Sequence, residues 1–215
     1  PTALEAAKWM MPAMAGYFWN TASVAALSRR STCSKAGRTP VILVLGDSLS
    51  AEYGLARGTG WVALLEKQLA QDKLAASVVN ASVSGETTSG GRSRLAALLA
   101  QHKPSHVVIE LGGNDALRGL PLKNTEENLT WMTQTAQKAG AKVLLVGMQV
   151  PPNYGTDYAN KFAGLFTSVA QAHKAAVVPF FLKGVADGPD PTRLFQPDRI
   201  HPRAEAHPQM LANVW

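Results

Sequence analysis

The sequence predicts an α/β domain, a three-layer α/β/α flavodoxin-like sandwich built on a five-stranded parallel sheet. Short apolar runs of strand length alternate with longer stretches in which apolar residues recur every three or four positions. No internal repeat or low-complexity linker divides the chain. Parallel strands require crossover connections, and crossover helices cover both faces of such a sheet. Ligands of open α/β sheets bind at the carboxyl ends of the strands, so we look there for polar motifs.

Five apolar runs supply the predicted strands. The first, residues 41–45, contains no polar residue and stops at Gly46, as expected for a strand buried on both faces. The predicted strands are 41–45, 77–80, 106–111, 143–148 and 176–180. The predicted helices are about 60–72, 88–102, 124–139 and 157–174, with a last helix that Pro202 can begin.

Composition indicates one globular domain. The chain has 215 residues, of which 46% are hydrophobic and 17% charged, enough to form one good core, and we place the domain at 41–215. The net charge is +6, but residues 1–40 carry five basic groups and one acidic group. The rest has 16 basic and 14 acidic groups, a net charge of +2, and no basic stripe with interleaved aromatics, which argues against nucleic-acid binding.

Residues 1–40 are predicted to be a leader. Residues 9–28 carry no charge and lie between Lys8 and Arg29, a pattern that resembles a signal or targeting segment. An N-terminal extension without a targeting role is the equally weighted alternative, and any membrane association would involve residues 9–28. The sole cysteine, Cys33, excludes an intrachain disulfide, and no Cys/His cluster has metal-ligand spacing, so we expect no metal.

The first polar motif, residues 46–50 (Gly-Asp-Ser-Leu-Ser), follows the first strand directly. Gly46 permits a sharp turn that would lift the Ser48 hydroxyl out of the sheet edge at a strand-to-helix corner. The backbone N–H of Ser48 would point into the same space and could stabilise an oxyanion. The alternative is that Asp47 and Ser48 merely cap the next helix.

Two further motifs follow the second and third strands. Gly85 precedes a helix expected to start near residue 87 or 88, and its N–H can approach a ligand closely, although an ordinary loop glycine is the alternative. Asn114 follows two glycines and could donate its side-chain NH2 to the same oxyanion, or could be a turn residue. Asp115 is expected to order that loop.

The fourth motif lies near the C-terminus, where Asp198 precedes His201 by three residues. This spacing lets Asp198 accept the proton of one imidazole nitrogen while the other nitrogen faces Ser48. The three would form a serine triad in the chain order Ser, Asp, His. The other histidines are interpreted as surface or packing residues: His102, His106, His173 and His207.

From about residue 41 to the end, the chain resembles the GDSL/SGNH hydrolase superfamily. It is most similar to the bacterial periplasmic multifunctional subgroup known as thioesterase I, protease I, arylesterase or lysophospholipase. The matching stretches are 46–51, 80–87, 110–115, 151–155 and 198–202. The resemblance implies a periplasmic or secreted enzyme without metal or organic cofactor, and a final helix that continues past Trp215.

The resemblance also implies roles for the residues of the four motifs. Ser48 would be the nucleophile, and His201 the base held by Asp198. The oxyanion donors would be the Ser48 N–H, Gly85 and Asn114.

The predicted activity is that of a serine esterase or thioesterase acting on acyl, aryl or lysophospholipid esters. The loops at the strand ends offer five apolar candidates for binding the acyl group: Leu49, Leu117, Leu120, Tyr154 and Phe162. Core or loop packing is the alternative for each of them, and it is favoured for Phe162. Two alternatives stay open, a sugar O-acetyl esterase and a non-catalytic flavodoxin-like binding module. The second is disfavoured because the first turn lacks the phosphate-binding glycine–lysine pattern and G-x-G-x-x-G.

Overall fold

The computed structural model describes residues 39–215. Five strands form one sheet in the order β2-β1-β3-β4-β5, and all neighbouring pairs are parallel. The strands are β1 (Val41–Gly46), β2 (Ser77–Asn80), β3 (His106–Glu110), β4 (Lys142–Val146) and β5 (Ala176–Val178). The sequence-based prediction of a five-stranded parallel sheet is confirmed. The predicted leader, including residues 9–28 and Cys33, lies outside the described residues.

Helices cover both faces of the sheet. Within residues 39–215 they are α1 (Trp61–Gln71), α2 (Thr88–His102), α3 (Gly113–Leu117), α4 (Leu122–Lys138), α5 (Thr156–Ala172) and α6 (His207–Val214). Helices α2, α4 and α5 pack side by side on one face, and α1 packs against α6 on the other, which gives the three predicted layers. None of these helices is long and apolar enough to span a bilayer, a finding limited to the described part of the chain.

Three local predictions were wrong. Ser48 does not lie at the start of a helix, because the chain forms a series of turns before α1 begins at Trp61. The short helix α3 was expected to be a loop. Pro202 does not begin the last helix: it pairs with Phe195 in an antiparallel bridge, which holds it outside a helix, and α6 starts at His207 with a proline in its first turn.

The register of the central strands positions the motifs. Gly46, the last residue of β1, lies opposite Glu110, the last residue of β3. The segments that follow these two strands therefore leave the sheet side by side at its carboxyl edge. The core beneath this edge is formed by the fully buried central strands and by large side chains such as Trp61 and Phe181, whose rings meet edge to face at 5.5 Å.

Candidate active site

Ser48 lies in a tight turn directly after β1. The backbone N–H of Ser50 donates to the Asp47 carbonyl (3.2 Å), which folds the chain back at once. Gly46 is required at the start of this turn, because a Cβ there would lie 2.7 Å from Ser50 Oγ. Within residues 39–215 the backbone N–H of Ser48 donates to no protein acceptor, so it is available to a substrate oxygen.

His201 links Ser48 to Asp198. Its Nε2 lies 2.9 Å from Ser48 Oγ, and its Nδ1 lies 2.6 Å from Asp198 Oδ2. The imidazole is largely covered, in part by the Tyr53 ring at a centroid distance of 4.3 Å. The serine, imidazole and carboxylate that the sequence analysis singled out therefore form one continuous chain of polar contacts. Their catalytic roles stay predictions.

The Asp198 carboxylate is held in its ionised form. Its partial burial favours the neutral acid, but the backbone N–H groups of His201 and Ile200 donate to Oδ1, each at 3.0 Å. These hydrogen bonds, with the one from the His201 side chain, prevail and lower the pKa of Asp198 to about 2. Asp198 is therefore an anion across the neutral range.

Gln196 connects the histidine loop to the serine turn, a contact that the sequence analysis missed. Its Nε2 donates to the Tyr53 carbonyl (3.0 Å) and to the Pro202 carbonyl (3.1 Å). The adjacent Gly54 has φ +69°, and any side chain there would clash with Gln196 Oε1. Since Tyr53 and Gln196 are 143 positions apart, no local sequence pattern signals this contact.

Gly85 and Asn114 come from the segments that follow β2 and β3. Gly85 has φ +77°, a backbone conformation that favours glycine, as expected if it is a loop glycine. Its carbonyl accepts a hydrogen bond from Arg118 Nη2 (2.8 Å). Asn114 Nδ2 donates to Asp47 Oδ2 (3.0 Å), which ties α3 to the Ser48 turn and leaves the second amide hydrogen for another acceptor. Inside the described part of the chain, the Gly85 N–H donates to no protein acceptor, as is also the case for the Ser48 N–H.

A buried polar network lies beneath the Ser48 turn. Glu110 is 2% exposed, and its Oε2 accepts hydrogen bonds from Ser50 Oγ (2.7 Å) and from the Asp47 backbone N–H (3.3 Å). Ser50 Oγ in turn accepts one from Trp61 Nε1 (3.1 Å). Asp47 Oδ1 accepts from the Leu49 N–H (3.0 Å). No function was predicted for Glu110 from the sequence, although it is a lone acid at the end of an apolar strand.

The predicted acyl-binding side chains fall into two groups. Leu49 is 9% exposed and belongs to the hydrophobic core, and Phe162 is fully buried there. Leu117 and Tyr154 are 47% and 39% exposed. Leu120 is half-buried. Burial therefore places Leu49 in the core, whereas Leu117 at the end of α3 and Tyr154 in the segment after β4 are surface side chains.

Two other predictions concern polar residues near the site. Asp115 lies in α3, where a loop was expected, and it accepts hydrogen bonds from the backbone N–H of Thr88 (2.8 Å) and from its hydroxyl, which ties α3 to the start of α2. Of the histidines other than His201, His106 and His207 are buried, and His207 Nδ1 accepts the N–H of Trp61 (3.0 Å). No group of three or more His, Cys, Asp or Glu side chains in the described part could hold a metal ion.

An α/β/α sandwich that carries a serine–imidazole–carboxylate chain at the carboxyl edge of its sheet has the arrangement of an ester hydrolase. A model of the GDSL-like lipase/acylhydrolase family matches residues 44–208. The chain belongs to this family, and it is an enzyme that acts on ester bonds. This excludes the non-catalytic binding module.

Characterised relatives support the assignment. The chain is similar to esterase TesA of Pseudomonas aeruginosa, with 52% identity over 174 residues, 81% of this chain and 85% of the relative. It is 41% identical to the arylesterase of Vibrio mimicus over 78% of this chain and 82% of the relative. It is also 41% identical to thioesterase 1/protease 1/lysophospholipase L1 of Escherichia coli K12, with 81% coverage of both chains.

Solved structures agree with the fold. The crystal structure of TesA matches with a TM-score of 0.78 and 51% identity, covering 81% of this chain and 96% of TesA. The esterase EstA from Pseudoalteromonas sp., in a form inhibited by monoethylphosphonate, matches with a TM-score of 0.75 and 42% identity over 80% of this chain and 93% of EstA.

Proposed function

We propose that this enzyme hydrolyses acyl esters and thioesters through Ser48, His201 and Asp198 by way of an acyl-enzyme intermediate. The observation that carries the proposal is the unbroken contact from Ser48 Oγ to His201 Nε2 (2.9 Å) and from Nδ1 to the Asp198 carboxylate (2.6 Å). A nucleophile and a base within hydrogen-bond reach, with the base oriented by a third group, are what covalent acyl transfer requires.

In the proposed reaction, Ser48 Oγ attacks the substrate carbonyl carbon while His201 Nε2 takes the hydroxyl proton. The imidazolium that forms faces the Asp198 carboxylate, whose pKa of about 2 keeps it anionic. His201 then gives the proton to the leaving alcohol or thiol, which breaks the bond to the acyl group. Water, activated by the same imidazole, releases the acid from Ser48 and restores the enzyme.

The proposed oxyanion hole has three donors: the backbone N–H groups of Ser48 and Gly85 and the free amide hydrogen of Asn114. Each belongs to a different segment at the carboxyl edge of the sheet, and hydrogen bonds from Asn114 to Asp47 and from Arg118 to Gly85 join these segments. Loss of one oxyanion donor typically costs about 10²- to 10³-fold in rate. We therefore expect Asn114→Ala to reduce kcat less than Ser48→Ala does.

The experiment that tests the triad is labelling with a fluorophosphonate probe, combined with ester hydrolysis. Wild-type enzyme should bind the probe covalently, and Ser48→Ala should neither bind it nor hydrolyse a p-nitrophenyl ester above background. Asn114→Ala is the matched control, since it should lose rate while keeping the reactive serine. Equal hydrolysis by Ser48→Ala and wild-type enzyme would remove the whole scheme.

The proposed substrates are lipid-like or aryl acyl esters, including lysophospholipids. The relatives named as arylesterase and lysophospholipase support this choice, as do the exposed side chains of Leu117 and Tyr154 in the segments that follow β3 and β4. A panel of p-nitrophenyl esters of increasing chain length tests it. Rates that rise beyond acetyl are expected, whereas a sharp optimum at acetyl would favour the sugar O-acetyl esterase alternative.

The proposed location is the periplasm or the extracellular space. The support is the uncharged stretch 9–28 between Lys8 and Arg29, which resembles a signal segment. Fractionation of cells expressing the full chain tests the location. Activity retained only in the cytoplasmic fraction would contradict it.

A further inference from the structure

Arg94 contacts both ends of the segment that carries Gly85, which we call the Gly85 loop (residues 81–86). Arg94 belongs to α2, the helix that follows this loop. Its Nη1 donates to the Ala81 carbonyl (3.1 Å) at the start of the loop, and its Nε donates to Glu86 Oε2 (2.7 Å) at the end. One guanidinium group therefore joins the two ends of the Gly85 loop, and the proposed proton transfers do not use it.

The backbone of the Gly85 loop turns sharply at Gly85. The Glu86 N–H donates to the Val83 carbonyl (3.1 Å), which closes a turn with Gly85 in its third position. Gly85 has φ +77° there, as the third residue of a type II turn does. The direction of the Gly85 N–H is therefore set by how the two halves of the loop are held.

Different groups hold the two halves. Two backbone N–H groups of the first half donate to carbonyls of β1 at 2.9 and 3.0 Å. The second half is held by side chains, namely Arg94 through Glu86 and Arg118 through the Gly85 carbonyl. The Arg94 and Glu86 side chains are 31% and 13% exposed, whereas Arg118 is an exposed side chain with a single hydrogen bond to the loop. Arg94 is thus the better shielded support of the second half.

Gly90 leaves room for the Glu86 carboxylate. A Cβ at position 90 would clash with Glu86 Oε1. Gly90 lies inside α2 and does not have a positive φ, so its backbone conformation does not require glycine. Alanine is also the better helix former. The glycine at this position therefore serves the contact between Glu86 and Arg94 rather than the helix.

We propose that Arg94 is a positioning residue, which holds the two ends of the Gly85 loop and thereby directs the Gly85 N–H toward the substrate oxyanion. The proposal rests on the proposed function, because Gly85 is taken to be one of the oxyanion donors. A guanidinium suits this role, since its planar fork presents several donors in fixed directions, whereas an ammonium is a point charge. An oxyanion donor is most effective when it is oriented before the reaction begins. Loss of Arg94 should therefore reduce turnover more than substrate binding.

Arg94→Met tests this role, and Arg92→Met is the matched control. Arg92 also belongs to α2, but it is exposed and contacts Asn128 (3.1 Å) and the Trp131 ring (5.0 Å) on α4 instead. We expect Arg94→Met to lower kcat about 10- to 10²-fold with KM unchanged, since the complete loss of one oxyanion donor typically costs about 10²- to 10³-fold. Arg92→Met should change kcat less than about twofold. Equal kcat values in the two variants, or a loss that lies in KM alone, would overturn the proposal.

Gly90→Ala separates positioning from stability, because it displaces the Glu86 carboxylate without removing a charge. Alanine favours the helix, so the thermal midpoint should stay within about 4 °C of the wild-type value while kcat falls about 3- to 10-fold. Gly164→Ala is the control, since Gly164 lies in α5 with open space around its Cβ position, and this change should leave kcat unaltered. Wild-type kcat in Gly90→Ala would contradict the proposal.

Combining the two changes tests whether they act through one contact. In the Arg94→Met background, Gly90→Ala should cost less than about twofold in kcat, because the partner of the displaced carboxylate is already absent. The same loss in both backgrounds would refute a shared path. Failure of the proposed function would appear separately, as ester hydrolysis by Ser48→Ala. If only the role of Arg94 is wrong, Ser48→Ala will be inactive while Arg94→Met is as active as Arg92→Met.

Discussion

Replacement of Asp198 by asparagine should be more damaging than its replacement by alanine. Asp198 Oδ1 accepts the backbone N–H groups of Ile200 and His201, each at 3.0 Å. These two donors require an oxygen, so the carbonyl of an asparagine would take the Oδ1 position and its NH2 would face His201 Nδ1. Nδ1 would then have to accept a hydrogen bond. The imidazole proton would lie on Nε2, which could no longer accept the proton of Ser48.

The size of each effect follows from the exposure of the carboxylate. A base held in the wrong tautomer costs about 10⁴-fold in kcat in a serine-protease triad. The Asp198 side chain is 37% exposed, so water can replace it as acceptor in the alanine variant and leave the correct tautomer accessible. We expect about 10²- to 10³-fold loss for Asp198→Ala, and at least tenfold more, about 1.4 kcal/mol of barrier, for Asp198→Asn.

Initial rates on a p-nitrophenyl ester, normalised to the concentration of folded enzyme, show which of the two Asp198 variants is less active. Wild-type enzyme and Ser48→Ala set the upper and lower limits, and thermal unfolding checks that both Asp198 variants remain folded. Asp198→Asn activity equal to or above that of Asp198→Ala would refute the tautomer argument. Retention of more than a tenth of wild-type kcat by Asp198→Asn would do the same.

Three further predictions concern stability. Burial raises the pKa of Asp47 from 3.8 to about 6. The protonated side chain therefore stabilises the fold below about pH 4, and up to about 3 kcal/mol of this stabilisation is lost as the pH rises through 6. The free energy of unfolding in urea should accordingly depend less on pH in Asp47→Asn than in wild-type enzyme. Gly54→Ala should lower both activity and thermal stability, because the added methyl group clashes with Gln196. Gly58→Ala is the control: Gly58 has φ +83° and open space around its Cβ position, so this change should cost only about 1–2 kcal/mol of backbone strain and leave activity intact. Burial lowers the pKa of His207, so neutral His207 stabilises the fold fully above pH 6.5 and this stabilisation is lost on acidification. His207→Gln should therefore weaken the pH dependence of the unfolding midpoint.

Helix boundaries were predictable where the sequence carries its own start and stop signals. Helix α2 begins at Thr88, after a Thr87 side chain that accepts the Gly90 N–H, and it ends before Lys103 in the left-handed conformation. The predicted range, 88–102, agrees with the structure. Helix α3 lacked such signals, because it has only five residues and begins on a glycine that propensity assigns to a loop.

The site was predictable as far as it depends on position along the chain. Ser48, Gly85 and Asn114 each follow a strand, and parallel strands bring their carboxyl ends to one edge whatever the details of packing. The contributions of Gln196 and Glu110 depend instead on contacts that the finished fold creates. The Ser50–Glu110 hydrogen bond spans 60 positions, so it could not be inferred before the register of β1 against β3 was known.

The two aspartates beside Ser48 have pKa values shifted in opposite directions, and the chemistry gives a reason. Asp198 is partly exposed, and the hydrogen bonds from the backbone N–H groups of His201 and Ile200 and from the His201 side chain lower its pKa to about 2. Asp47 is buried, and burial raises its pKa to about 6 although Leu49 and Asn114 donate hydrogen bonds to its carboxylate. The direction of each pKa shift therefore depends on whether burial or donated hydrogen bonds dominate around the carboxyl group.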